Sequence, residues 1–474
     1  RKPTSLPSAY SRWRQDRFRR PTSHSTSLQK QRTANGRQAF RLGEHRSAHA
    51  NTVGLHSRRR KDALVRAERS PVIERQPVSQ WSLAPFHLGS LIGPYTGGGF
   101  PIVFPILQGV FHVDRGTLSI IVPAYFVTFG LCQFFSGTIS DLTSRRGTIL
   151  VGFATFGLAA LLCALAPNLP VFVLGCILLG ITNAFTTPIL LATLGDTLPP
   201  QRLPRTVAVF SAANQSGHLL GPLVAGFLAG WSWRLFFVSV ALLSWIAGGW
   251  LFVWFRRFGQ AVPDRPRAVS LRASLRELAQ ALNRSVAQVV VLAFLTNAAV
   301  MGTAYLLGQT LRDLWQLDYA TIGIIVSLYG LGAILFGPPA GYLLERVDLQ
   351  ASSTIGLLAV SLSIATMALA PHPWVFAAAY LALGLAAMLT WTAFSTLAVQ
   401  AAPTHRGTAS AYFLGARFLV QGLAPALYTP TYGTLGPRAV FLLSAALALS
   451  ALVPLRILRP QQTRTSPPAP ATDD

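Results

Sequence analysis

Acidic residues are scarce in this sequence: 16 Asp and Glu stand against 40 Lys and Arg in 474 residues, and charged residues of both signs make up only 12%. None of the 16 falls inside the long apolar runs described below, and no nucleophile with a base at a workable spacing stands out, so an enzyme is not expected. Cysteine is nearly absent. Cys132, Cys163 and Cys176 all lie within apolar runs, which excludes a disulfide framework or a zinc spacing and leaves no metal or cofactor to expect. No phosphate-cradling Gly loop followed by Lys occurs, which argues against an ATP-driven pump. All three lysines, Lys2, Lys30 and Lys61, lie before residue 80, and the first of three methionines is Met301.

What the sequence has in abundance is apolar length. Hydrophobic residues make up 51% of the chain and the mean hydropathy is +0.43. They gather into twelve stretches: 84–110, 117–137, 148–167, 170–195, 206–230, 236–255, 286–308, 320–342, 352–370, 374–396, 408–430 and 438–458. About 20 residues cross a hydrocarbon core of about 30 Å, and lipid offers no partner to a free backbone group, so these stretches are expected as membrane helices. Short connections make successive helices antiparallel neighbours. An even count puts both termini on one side. Arginines gather there, among them Arg145, Arg146, Arg205, Arg256, Arg257, Arg346 and Arg406, while Arg115, Arg234, Arg312 and Arg438 lie opposite, so that side is expected to be cytoplasmic.

Residues 1–80 differ from the rest. They carry 19 of the 40 basic residues and five of the 16 acidic ones without a sustained apolar period, and read as a disordered basic tail lying near an anionic leaflet. Nucleic-acid binding by its Arg clusters is the less favoured reading. Because the sequence opens on Arg1, a start near 72–83 is expected, with an Arg-rich organelle transit segment as the alternative. A second short tail is expected at 461–474.

The two sets of six spans repeat at an offset close to 200 residues. Gly137-Thr-Ile-Ser-Asp141 answers Gly341-Tyr-Leu-Leu-Glu345, and the run from Arg205 answers that from Arg406. Two six-helix bundles, 81–257 and 286–460, are therefore expected around a midplane site. Between them, 258–285 forms a linker in which Leu271, Leu275, Leu278 and Leu282 recur at helical spacing, as in a short amphipathic helix on the membrane surface.

Gly137, Asp141, Arg145 and Arg146, after the second span, resemble the loop signature of the major facilitator superfamily, with Leu142 and Ser144 in place of the usual Arg and Gly. Gly217-His-Leu-Leu-Gly221-Pro222-Leu-Val-Ala225-Gly226 in span five resembles the signature of that superfamily's drug-efflux antiporters, with Ala225 replacing a Gly. Trp233-Arg234 before Phe236-Phe237 fits the family's turn into span six, and Asp196 its acidic residue after span four. Where the antiporter branch usually carries an Arg in span four, Cys176 stands before Gly180. The resemblance implies an all-α fold of twelve helices in two pseudo-symmetric bundles, in a bacterial inner membrane, acting as a monomer. It implies a conformational latch from Gly137, Asp141, Arg145, Arg146 and Asp196 with Gly341, Glu345 and Arg346 as the repeat's counterparts. Gly137 would let the loop run close to a neighbouring helix, and Asp141 would accept bonds across the half interface. Gly217, Gly221, Pro222 and Gly226 would make a hinge in span five.

Polar groups deep in the spans are the candidates for substrate or proton. Arg417 and His218 lie 11 to 13 residues past the boundary arginines of their helices, near midplane at about 1.5 Å per residue. Asn214, Asn297, Trp391 and Gln421 join them. Gly93, Pro94, Gly97, Gly98, Gly99, Pro101 and Pro105 interrupt span one, which is expected to wall the path because freed backbone groups are tolerated only against a cavity or neighbouring helices. The expected function is proton-coupled export of a lipophilic or amphiphilic small molecule by alternating access. A permease importing an organic anion through Arg417, and a membrane sensor that moves nothing, are the alternatives.

Overall fold

The computed structural model describes residues 80–199, 201–258, 280, 282–401 and 406–457. The expected basic tail, most of the linker with its leucine stripe, and the C-terminal tail lie outside the described residues. The helices in order are α1 Ala84–Phe111, α2 Arg115–Leu118, α3 Ile121–Leu142, α4 Arg145–Leu165, α5 Leu169–Ala184, α6 Thr187–Thr197, α7 Leu203–Ala229 and α8 Trp233–Phe258. The second half continues with α9 Arg284–Met301, α10 Leu307–Trp315, α11 Tyr319–Arg346, α12 Leu349–Leu369, α13 Pro373–Ala401, α14 Arg406–Ser450 and α15 Leu452–Ile457. No strand occurs among the described residues.

Ten helical runs among the described residues are long and apolar enough to cross a membrane. The twelve spans read from the sequence are recovered only when α7 is added and α14 is divided. At 27 residues α7 is long enough, but Asn214, Gln215, Ser216 and His218 keep it out of the most apolar set. One run of 46 residues, Tyr412–Ile457, would reach about 69 Å if straight, more than twice a hydrocarbon core. It breaks at Gly436, where φ is 82° and ψ 177°, a conformation open to a residue without Cβ. Pro437 follows and opens the next helix, needing no N–H partner there.

The internal repeat extends to the caps. His112 ends α1 with φ 51°, and Gln316 ends α10 with φ 53°. Asp114 accepts the Thr117 N–H at 3.0 Å, and Asp318 the Thr321 N–H at 2.9 Å. A Cβ on Gly180 would run into the Tyr125 carbonyl of α3, and one on Gly384 into the Tyr329 carbonyl of α11. All these pairs share the offset that relates Gly137 to Gly341.

Three seams join the halves: α7 on α11, α3 on α14, and α1 on α10. Small residues set the first. A Cβ on Gly226 would stand 2.9 Å from the Gly323 Cα, so the two backbones touch without side chains between them.

Candidate functional site

A cavity of about 120 Å³ opens where these seams meet. Six aromatic rings contribute to its wall: Tyr125, Phe126 and Phe129 from α3, Tyr329 from α11, Tyr380 from α13 and Phe418 from α14. Span one contributes Gly93, Pro94, Gly97, Gly98 and Pro101, as its interrupted sequence led us to expect, although α1 stays helical through Pro94, Pro101 and Pro105.

The glycines and proline of α7 explain how that helix reaches the site. Cβ atoms on Gly217 and Gly221 would overlap the backbone of α1 at Leu91 and Tyr95. Pro222 lines the cavity and has no N–H for the carbonyl of His218, and α11 approaches at that point: a Cβ on Gly330 would stand 2.6 Å from the His218 carbonyl carbon. Gly217 and Gly221 thus join helices of one half, whereas Gly226 joins the halves.

The structure brings all six substrate or proton candidates onto this cavity or the smaller pocket adjoining it. Arg417 lies in α14 with its guanidinium 4.0 Å from the ring centre of Trp391. Its Nε donates to the Asn297 Oδ1 at 3.1 Å, and the Asn297 Nδ2 donates back to the Arg417 carbonyl at 2.6 Å. Trp391 is itself tilted over Phe413 at 4.8 Å. Arg417 lines both the main cavity and a smaller pocket behind it that Asn297 and Trp391 help to form. His218 and Gln421 face the main cavity, and the His218 ring stands edge-on to Tyr329 at 5.9 Å. Asn214 also reaches the lining, with its Nδ2 spent on the Ser90 carbonyl at 2.8 Å.

The latch candidates lie at the end of the bundle where α3 meets α4. Gly137 and Asp141 belong to the last turns of α3, and Arg145 and Arg146 open α4, so the segment is mostly helix with a tight connection. Arg145 bridges Asp141, at 2.7 Å, and Asp196 at the end of α6. These ion pairs lie within the N-terminal half, not across the interface as expected. The reason is spacing: Arg145 is one turn from Asp141. The expected close approach at Gly137 is also corrected, since a Cβ there would meet nothing within 4 Å, and the same holds for Gly341. Arg346 stacks on Tyr342 of its own helix at 4.3 Å. The Glu345 side chain lies outside the description.

The sequence reading missed a cluster at the opposite end. Arg115 of α2 pairs with Asp313 of α10 at 3.2 Å, and the Tyr432 hydroxyl donates to the same carboxylate oxygen at 2.8 Å. Arg115 also lies over the Tyr432 ring at 4.2 Å. These three residues tie the N-terminal half to the C-terminal one. The available signal was the scarcity of acid: Asp313 is one of few carboxylates between spans. The tyrosines of the cavity, and Asn183, which donates to the Tyr125 hydroxyl at 3.0 Å, were also missed. Tyrosine in an apolar run reads as packing.

An all-α bundle of two repeated halves, spanning a membrane and enclosing a cavity at their interface, defines a polytopic transporter and not an enzyme. The chain belongs to the Major Facilitator Superfamily, whose model matches residues 86–314 and 289–473. It is 25% identical over 307 residues to the uncharacterized MFS-type transporter YceJ of Bacillus subtilis (strain 168), covering 65% of this chain and 77% of the relative. It is 25% identical over 371 residues to multidrug resistance protein MdtG of Klebsiella pneumoniae (strain 342), covering 75% and 88%. Among solved structures, the human organic anion transporter MFSD10 superposes with a TM-score of 0.62 at 18% identity, covering 80% of this chain and 100% of that one, a likeness of fold.

Proposed function

We propose that this transporter exports lipophilic and amphiphilic small molecules by alternating access, coupled to protons. The observation that carries the reading is the cavity between the halves, walled by aromatic and small apolar residues of both bundles with a few polar groups among them. The likeness to a multidrug resistance protein over most of both chains supports it. Opening and closing are assigned to the two ends: Arg145 with Asp141 and Asp196 on the side of the termini, taken as cytoplasmic in a bacterial inner membrane, and Arg115 with Asp313 and Tyr432 opposite. Gly226 of α7, against Gly323 of α11, is assigned to the seam about which the halves rock, while Gly217 and Gly221 hold α7 to α1. His218 is the cavity's imidazole and the group assigned to the coupling proton.

The test is retention of a fluorescent lipophilic dye in efflux-deficient cells that hold the protein in their membrane. Retention should fall on expression and be restored by a protonophore. Unchanged retention would overturn export, and a fall that a protonophore leaves intact would overturn the coupling.

A further inference from the structure

We infer that Arg417, held by Asn297 and Trp391, is a subsite for the anionic group of an amphiphilic aromatic substrate, a carboxylate or sulfonate joined to a planar ring system. This rests on the reading of the cavity as the transport site and adds the substrate's charge to it.

The argument begins with the cost of a cation at this depth. A guanidinium inside a membrane bundle calls for a counter-charge or a polar cavity. Arg417 has no carboxylate partner among the described residues. What holds it is the face of Trp391 and one amide. Those two contacts define which part of the group remains available. Trp391 covers a face of the guanidinium, and Asn297 takes the Nε. The two Nη groups lie in the plane that remains and donate to no described residue, and Arg417 is part-buried and lines both pockets. An in-plane pair of N–H donors is the geometry that binds carboxylate or sulfonate oxygens side by side.

The wall around this edge has the same bias. Tyr329 borders both pockets with Arg417, and Tyr380 and His218 face the main one. None of these three side chains has a hydrogen bond with a described residue, and no Asp or Glu lines either pocket. A cavity with a cation and hydroxyl groups but no carboxylate favours an anion over a cation. The rings of Phe126, Phe129 and Phe418 offer flat apolar surface beside the charge, which fixes the rest of the substrate as aromatic.

The test compares two probes that differ in charge alone, 2-naphthoate and 2-naphthamide, titrated against the purified full chain in lipid nanodiscs. The expected result is a preference of about tenfold or more for naphthoate in the wild type. In Arg417→Gln the preference should fall to near one, and in Asn297→Ala, which removes the group orienting the guanidinium, it should fall part of the way. No preference in the wild type overturns the inference without any variant, so a failure of Arg417→Gln to fold does not shield it. A preference that survives Arg417→Gln overturns it too. Failure of the export reading is separate: dye retention unchanged in cells would remove export while a naphthoate preference still established the subsite, and dye export with no naphthoate preference would remove the subsite alone.

Discussion

Asp318 opens α11 with a carboxylate that accepts from the Thr321 N–H at 2.9 Å and from its hydroxyl at 2.7 Å. These bonds, the hydroxyl's first and the backbone's second, hold its pKa below the usual aspartate value of 3.8. Asp114 is held down in the same way by Thr117. The sign follows: a folded pKa below the unfolded one adds stability that is fully present above the ordinary value and is lost as pH falls through the folded pKa. Asp318→Ala should therefore destabilise the protein by about 1 kcal/mol at neutral pH, the usual worth of such a cap, kept modest by solvent screening. Denaturation midpoints of variant and wild type should differ by a constant amount from pH 7 to about 5 and converge below the ordinary aspartate value. A gap unchanged at pH 3 would show that the ionised carboxylate is not what holds this end of α11. Both caps were open to a sequence reading, because Asp followed three residues later by Thr precedes an apolar run in each half. The role of Asn297 was not, because Asn297 and Arg417 are brought together only by the packing of α9 on α14.

Among the elements, α7 carries the most constraint for its length. Its glycines face two partners, α1 through Gly217 and Gly221 and α11 through Gly226, and none of these contacts leaves room for a methyl group. Gly221→Ala places a Cβ against the Tyr95 carbonyl, a backbone atom that cannot swing away. Overpacking of this kind costs about 1–3 kcal/mol, so a lower melting temperature and weakened dye export are expected. The control is Gly249→Ala in α8, where the added Cβ meets nothing within 4 Å and both readouts should hold. Equal behaviour of the two variants would show that the close packing of α7 on α1 does not matter to stability or export. The Gly and Pro pattern of this helix was legible as a close-packing face. Which glycine served which neighbour was not, since small residues four apart present the same stripe to any partner. The Gly137 segment shows the limit of a resemblance, because the residues match while a Cβ on Gly137 would meet no neighbouring helix and Arg145 pairs with Asp141 of the same half.

At the scale of the whole molecule, the cluster of Arg115, Asp313 and Tyr432 links the two halves at the end opposite Arg145 and Asp196. Arg115 and Asp313 keep 24% and 38% side-chain exposure, so the pair is worth about 1 kcal/mol or less. A bond of that strength tunes an equilibrium without locking it. Arg115→Ala should raise the population open at this end by no more than about fivefold. Spin labels replacing the exposed Trp231 and Leu435, one in each half, would read it as growth of a longer distance. An unchanged distribution would mean that the ion pair does not hold this end shut.

The sequence by itself determined the spans, the repeat and the class of protein. An apolar run of about 20 residues has one backbone solution in lipid, and a duplicated pattern of runs and caps has one broad arrangement. It also marked Arg417 and His218 as deep polar groups, since depth follows from counting along a helix. Only the tertiary structure decided what those groups meet. Trp391 and Asn297 beside Arg417, Asp313 beside Arg115, and the tyrosines turned onto the cavity come from helices far apart in the chain. Local sequence fixes how far along its own helix a side chain lies. Which face of a neighbouring helix stands opposite is set by the packing of all the others.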